Sequence, residues 1–527
     1  MLFFKKMKEK NMKKLYLFIL TIALSIFVVS CSDIELSLDQ TDYTDQIEAL
    51  AESIDQAVPA VVNANFSLPI HEDYEIEYKF NDEMFTNEFI YESPFYDRDA
   101  SLEYTIKRGK TELSFSSEFR HLSLESGYNA TKIYLTLPVP LGQVGKEEYV
   151  QANVRVETRK NGVGIIEHET NAAQLRGRGN STWFLSDKKP YRLRFDENTS
   201  ILGMPKAKNY VLLAEYADKS LMRNVITQKM VSLMDNLPYS LEVRFVELYV
   251  NEDYRGVYVL TEHVEVHKNK FMIESIPGEV NTGYFFEMDQ RFYDQNITPG
   301  WDWIVVRDIP YEIKEPDPDD LAFTSAHATY LKAYIESVEN ALIAKSNYNN
   351  LINLDNWIEH FIVHEFVKNV DVGWSSVFMY KEKDGPLQYG PLWDFDLAYG
   401  NADYIDYGPE GFYGMRQYKN RMFKLMMDIL EIRLLYREAY NNFYFDVLPE
   451  LLEMIPVLSE SISNMAHRNF LKWDIMNSYV WPNPSEVLAQ KTHAGQVQYV
   501  VSYMNLRAEW MLIEINNQAF YYGNFGD

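Results

Sequence analysis

Three aspartates could do chemistry together. Asp394 and Asp396 stand at i and i+2 in Trp393-Asp394-Phe395-Asp396. On an extended segment such a pair points to one side, so both carboxylates can reach a single hard cation. Asp371 lies upstream in Asn369-Val370-Asp371-Val372-Gly373. A third carboxylate facing the pair could position a hydroxyl. Leu392, Trp393, Phe395 and Leu397 frame the pair, and buried carboxylates are costly unless a cation or partner compensates them. Capping of turns or pairing with arginine is the ordinary alternative for a lone Asp-x-Asp.

A second group is basic. Arg176-Gly177-Arg178-Gly179-Asn180-Ser181-Thr182-Trp183 is followed by Lys188-Lys189-Pro190-Tyr191-Arg192-Leu193-Arg194-Phe195. Glycines between two strands let backbone N–H groups approach an anion, and the cations supply charge. A simple tight turn would explain the glycines equally well. The basic stretch sits in a chain whose formal charge is −27. Such a surface repels phosphate backbones and argues against nucleic acid as a partner.

Local elements must bring these groups together. Periodicity predicts a helix over residues 355–370, with Ile358, Phe361, Ile362, Glu365 and Phe366 on one side and Asp355 as N-cap. That helix delivers Asp371 into a loop. Strands over 376–380 and 387–392, joined by the turn Lys383-Asp384-Gly385, then return the chain beside its start. Loop aspartate, hairpin, metal aspartate is the order of parts in kinase phosphoryl transfer. Strands over 154–157, 174–176 and 191–195 flank the glycine loop. An amphipathic helix over 219–234 and a hairpin over 244–250 and 257–264 follow. Period-two alternation from about residue 74 to 137 predicts a small β module, and the pattern after Arg416 is helical to about Ile513. The fold class read from these elements is α+β. His364-Glu365 lacks a second histidine at zinc spacing, so His364 reads as a helix-face residue. Without a Gly-x-Ser-x-Gly elbow or a cysteine nucleophile, hydrolase readings have little support.

Seven pieces in order resemble the spore-coat protein H (CotH) kinase family. They are Arg178-Gly179-Asn180-Ser181-Thr182-Trp183 with Lys188-Lys189-Pro190-Tyr191; Gly203-Met204-Pro205-Lys206; Tyr210-Val211-Leu212-Leu213; Asp218-Lys219-Ser220-Leu221-Met222-Arg223-Asn224; Gly256-Val257-Tyr258-Val259-Leu260-Thr261-Glu262; Asn369-Val370-Asp371; and Trp393-Asp394-Phe395-Asp396. The resemblance spans about residues 130–445. It implies an atypical protein-kinase-like fold with a small β-rich N-terminal region and a helical C-terminal part. It also implies ATP as donor, Mg²⁺ or Mn²⁺, and Ser/Thr of a protein substrate as acceptor. On that basis Asp371 orients the acceptor hydroxyl, and Asp394 holds the metal with Asp396 assisting. Lys189 or Arg194 contacts the nucleotide phosphates, the loop Arg178, Gly179, Asn180, Ser181 covers them, and Glu262 sits where a kinase hinge meets adenine.

One departure stands out. Many members place an asparagine shortly after the loop aspartate as a second metal ligand, whereas this chain has Trp374-Ser375-Ser376. Ser376 takes that position, and a neutral serine hydroxyl is a poorer ligand than an amide carbonyl. Residues 401–415, rich in Tyr and Gly, fall where a kinase has its activation segment, as a substrate-facing loop or a mere connector.

The N-terminus has its own logic. Lys5, Lys6, Lys8, Lys10, Lys13 and Lys14 precede an uncharged apolar run over residues 15–29, the length of a signal-peptide core. Val28-Val29-Ser30-Cys31 reads as a lipobox, and Cys31 is the only cysteine. Lipid on Cys31 would anchor an exported protein to a membrane, periplasmic or at the cell surface, with the outer membrane favoured. The expected organisation is a lipoprotein signal peptide (1–30), a tether (31–70) with a helical stretch over 46–58, and a small β-rich region (71–128). A CotH kinase-like domain (129–450) and a helical C-terminal extension packed on it (451–527) complete the chain. Two functions compete: a lipid-anchored protein kinase acting on a protein substrate, or a non-catalytic, pseudokinase-like lipoprotein that binds a surface partner. A metal-dependent hydrolase using the same aspartates comes third.

Overall fold

The computed structural model describes residues 41–527 apart from 63, 82, 92–97, 122–129, 161–162, 296, 524 and 526–527. The expected signal peptide, Cys31 and the first part of the expected tether lie outside the described residues. The chain divides into two units, Met1–Leu124 and Glu125–Asp527. Among the described residues no helix is long and apolar enough to cross a membrane.

The first unit is a small sheet with one helix. Helix α1 (Thr44–Ala57) precedes β1 (Val61–Val62), β2 (Phe66–Ser67), β3 (Glu75–Phe80), β4 (Glu83–Phe85), β5 (Glu88–Phe89), β6 (Arg98–Arg108) and β7 (Thr111–His121). The main sheet runs β1-β7-β6-β3-β4, with β2 and β5 paired separately. Ile47, Ala51 and Ile54 recur at helical spacing and are buried. The Tyr104 hydroxyl lies 3.1 Å from the Ala51 carbonyl and 2.8 Å from Asp55. The expected tether is therefore corrected: from Thr44 onward the chain supplies the helix that completes this unit's core.

The second unit begins with a barrel. Its strands are β8 (Lys132–Thr136), β9 (Val150–Lys160), β10 (Val163–Gly177), β11 (Tyr191–Thr199), β12 (Ala207–Leu213), β13 (Val243–Val250) and β14 (Asp253–Glu262). They close in the order β10-β11-β12-β14-β13-β8-β9. Alternate residues such as Val154, Val156, Leu175, Leu193, Leu212, Leu248 and Leu260 fill the interior. Helix α2 (Ser181–Leu185) interrupts the β10–β11 connection, and α3 (Arg223–Ser232) follows β12. The helix predicted over 219–234 starts later because Asp218 accepts the N–H groups of Ser220 (2.9 Å) and Arg223 (2.8 Å) and pairs with the Arg223 guanidinium. Helix α3 is also buried on nearly all sides rather than along one stripe.

A second sheet, ordered β16-β17-β15-β18-β19, comprises β15 (Tyr284–Met288), β16 (Trp303–Val306), β17 (Ile309–Glu315), β18 (Val377–Lys381) and β19 (Gln388–Leu392). Helices α4 (Ser325–Ile343) and α5 (Leu354–Phe366) pack with it into a large apolar core. Asn353, not Asp355, caps α5, its side chain accepting from the Asn356 N–H. Helices α6 (Arg421–Met427), α7 (Leu430–Asn442), α8 (Leu448–Ser461), α9 (Ser463–Lys472), α10 (Ser485–Ala489), α11 (His493–Asn516) and α12 (Gln518–Tyr521) complete the unit. Leu451, Ile455, Met504 and Met511 belong to the same core as α5, so residues after 450 are integral to the domain.

Candidate active site

The β18–β19 ribbon aligns Val377 with Leu392, so the residues just outside the ladder, Ser376 and Asp394, meet at its end. The Ser376 hydroxyl lies 3.2 Å from an Asp394 carboxylate oxygen. Both residues hold left-handed backbone, with φ of 62° and 70°, a conformation that costs a non-glycine residue energy. Hydrogen bonds fix it: the Ser376 N–H donates to Glu287 (3.1 Å), and the Phe395 N–H donates to Asn224 (2.8 Å). Asp371 sits in a single helical turn, Val370–Gly373, whose cap Asn369 accepts the Asp371 N–H at 2.9 Å. Asp371, Ser376, Asp394 and Asp396 all line one cleft of about 1330 Å³.

Electrostatics mark this corner as overcharged. Burial, then repulsion from Asp394, pushes the Asp371 carboxyl up to about 7, with Arg291 opposing. Burial, Asp394, Asp371 and Asp218 push Asp396 well above the carboxylate range. Glu215 on the cleft wall is shifted the same way, chiefly by burial. One of its oxygens is buried without a hydrogen-bond partner. Carboxylates this poorly compensated fit a divalent cation.

Among the described residues, Glu287, Asp289 and Glu312 bring carboxylate oxygens within 4.8 Å of one another, close enough to share a cation. That group already faces two cations. Lys314 lies 3.4 Å and Arg291 3.6 Å from Glu287, and the same two side chains pair with Glu312 and Asp289. Among the described residues, Asp371, Asp394 and Asp396 are not gathered so tightly.

The barrel supplies the basic wall. At the end of β10 the Trp183 ring presses on Gly177, where a Cβ would collide with it. Gly179, at φ 85°, turns the chain into α2. Arg178 between them projects to the cleft, its guanidinium 5.3 Å from the centre of the Trp393 ring. Arg176, Asn180, Ser181 and Arg192 line the same wall.

Residues 175–511 match the family model described as CotH kinase protein. The chain belongs to the CotH kinase family. The CotH match opens inside β10 and runs into α11, so it takes in the helical part after residue 450. No curated protein matches the chain.

Several residues singled out from the CotH motifs stand away from the cleft. Lys189 turns back to donate to the Trp183 carbonyl at 2.6 Å. Its neighbour Lys188 is buried against the Val257 carbonyl and Asn469. Arg194 is exposed on β11 and lies 5.6 Å from the Tyr149 ring. Glu262 is buried and accepts from the Tyr239 hydroxyl (2.7 Å) and the Glu242 N–H (2.9 Å). The cleft is reached instead by Arg192, one turn of the pleat from Arg194, and by His263 and Glu265 just past the end of β14. Alternation along β11 marks Arg192 and Arg194 as equals. The sequence carries no signal for Glu215, Arg291 or Lys314, which reach the cleft from other elements.

Proposed function

We propose that this protein is an exported, lipid-anchored CotH-type protein kinase that transfers the γ-phosphoryl group of ATP to Ser or Thr of a protein. The observation that carries this reading is the convergence of Asp371, Asp394 and Asp396 with the Arg178–Ser181 loop on one cleft. Asp371, poised near neutral pH by burial and by Asp394, has the strength of a group that holds a hydroxyl proton at working pH. It orients the acceptor oxygen and takes its proton as that oxygen bonds to the γ-phosphorus and the bond to the ADP oxygen breaks. Asp394 and Asp396, with the Ser376 hydroxyl, would hold Mg²⁺ or Mn²⁺, which would neutralise charge on the phosphates. Arg178 and Arg192 face the same anion from the barrel. Catalysis of this kind is positioning and charge neutralisation.

A serine in place of the family's asparagine, already bonded to Asp394, favours a second reading: a non-catalytic protein that keeps the cleft to bind a surface partner. Export from the cytoplasmic ATP pool favours it too. Melting of the mature protein with and without ATP and Mg²⁺ or Mn²⁺ separates them, because a ligand of the native state raises Tm. A shift with labelled phosphate transferred supports the kinase, and a shift without transfer supports the second reading. No shift at millimolar nucleotide ends the kinase reading. Asp394→Ala abolishes shift and transfer while sparing the fold. Anchoring is tested separately: Cys31→Ser moves the protein to the soluble fraction, and unchanged membrane partitioning would exclude the lipid.

A further inference from the structure

His364 lies on the inner face of α5 and is buried. Its Nδ1 lies 3.2 Å from the Asn369 side-chain nitrogen. The Asn369 side-chain oxygen in turn accepts the Asp371 N–H at 2.9 Å, and its own N–H donates to the His364 carbonyl at 3.0 Å. The His364 ring also meets the Phe395 ring at 5.5 Å, between Asp394 and Asp396, and the His360 ring one turn earlier on α5 at 4.5 Å. One buried imidazole therefore touches both the cap that holds the Asp371 turn and the aromatic ring flanked by the other two aspartates.

The chemistry of these contacts has one sense. Asn369 must present its oxygen to the Asp371 N–H, so its NH₂ faces His364 and needs an acceptor there. Only an imidazole bare at Nδ1 provides one. Burial keeps His364 neutral, holding its pKa down at about 3. A flipped amide would set NH₂ against the Asp371 N–H, two donors facing each other.

We infer that His364 and Asn369 are positioning residues that fix Asp371 relative to Asp394 and Asp396. The inference rests on the kinase reading for its consequence in turnover, but not for its geometry. Asparagine at 364 places an oxygen where the imidazole has Nδ1, so His364→Asn retains the acceptor, while His364→Phe retains the ring against Phe395 and loses the acceptor. His364→Phe and Asn369→Ala lower kcat for phosphate transfer about 10- to 100-fold, the size expected of a reacting group displaced by about 1 Å. KM for ATP and the nucleotide-induced rise in Tm stay at the wild-type values, and His364→Asn regains most of kcat. Crystal structures of the variants show the Asp371 carboxylate displaced from its place beside Asp394.

Full kcat in His364→Phe, equal losses in His364→Phe and His364→Asn, or an unmoved Asp371 would overturn the inference. Should His364→Phe not fold, Asn369→Ala and its structure decide alone; should Asn369→Ala also not fold, kcat and structure of His364→Asn decide, a displaced Asp371 overturning it. Absence of transfer by the wild-type protein removes the kinase reading and leaves the position of Asp371 in the variant structures to judge this one.

Discussion

The Arg178 guanidinium lies 5.3 Å from the centre of the Trp393 ring, and Trp393 immediately precedes Asp394. A cation over an indole face gains on the order of 1 kcal/mol, so the barrel loop and the end of the β18–β19 ribbon are joined at the cleft. Burial lowers the Arg178 pKa, while the charges of Asp394 and Asp396 work against that shift without either carboxylate bonding it directly. Its donors therefore remain available to an anion.

From this arrangement, Arg178→Gln should weaken nucleotide binding far more than it affects folding. The expected loss is about 10- to 100-fold in nucleotide affinity, or about 1.4–2.8 kcal/mol, with Tm of the nucleotide-free protein little changed. Titration calorimetry with ATP and Mg²⁺ measures it. Wild-type affinity in the variant would remove Arg178 from the phosphate site.

Asp371 gives a pH signature. In the folded protein its proton is held up to about pH 7, whereas the unfolded chain releases it near the ordinary aspartate value. The native state thus binds more protons between these limits, and stability falls as pH rises from about 4 to about 7. Asp371→Asn removes that cost. The variant should melt higher than wild type at pH 8, by on the order of 1–2 kcal/mol once partial exposure is discounted, and the gap should close toward pH 4. Divalent cation should stabilise both proteins, because Asp394, Asp396 and Ser376 remain in the variant. Thermal melts across this range check both, and a gap independent of pH would refute the assignment.

Ser376 offers a gain of function. Its φ of 62° is a conformation that asparagine tolerates better than most residues, and its hydroxyl already touches Asp394. Ser376→Asn should therefore fold with a change in stability of about 0.5 kcal/mol or less and supply the amide oxygen that serine lacks. The Mg²⁺ or Mn²⁺ concentration needed for half of the nucleotide-induced Tm shift should fall several-fold, and Ser376→Ala should raise it. Identical metal dependence in all three proteins would mean that this side chain does not reach the cation.

These sites differ in how far the sequence betrays them. The ribbon that gathers Asp371, Ser376 and Asp394 is written locally, in a strand pattern, a Lys-Asp-Gly turn and a second strand, and its pairing needs no distant partner. The glycine loop is equally local, since Gly177 and Gly179 are required by the Trp183 ring and by a positive φ. Lys189, Arg194 and Glu262 are not decided locally. Which strand residue faces a cleft depends on closure of the barrel, and closure rests on the parallel pairing of Leu248 with Ile133, for which neither segment carries a mark. The start of α3 is likewise set by the Asp218–Arg223 pair, whose energy is felt only once both are buried. The link from His364 to the aspartate pair has no local signal, because Phe395, which carries it, lies on a distant segment.

Residues 401–415, which the sequence leaves open between a substrate-facing loop and a connector, are clamped. The Glu365 carboxylate, fully buried on α5, accepts the N–H groups of Tyr413 (2.7 Å) and Met415 (2.9 Å) and pairs with Arg507 at 2.7 Å. Arg507 also donates to the carbonyls of Pro409 (2.9 Å) and Gly411 (2.7 Å), and Lys368 donates to those of Gly408 (2.8 Å) and Glu410 (2.6 Å). Removing one partner of such a pair strands a buried charge, at a cost of about 3–5 kcal/mol. Arg507→Met should therefore lose about that much stability in urea unfolding, and the segment should become the first site of proteolytic cleavage. Arg507→Lys keeps the charge but not the planar fork that serves the Glu365 carboxylate, the Glu365 carbonyl and the Pro409 and Gly411 carbonyls, so its loss should be intermediate. Glu365→Gln keeps the shape yet must turn its NH₂ toward a backbone N–H, so it too should destabilise. An Arg507→Met protein as stable and as resistant to protease as the wild type would show that the segment is held by other contacts.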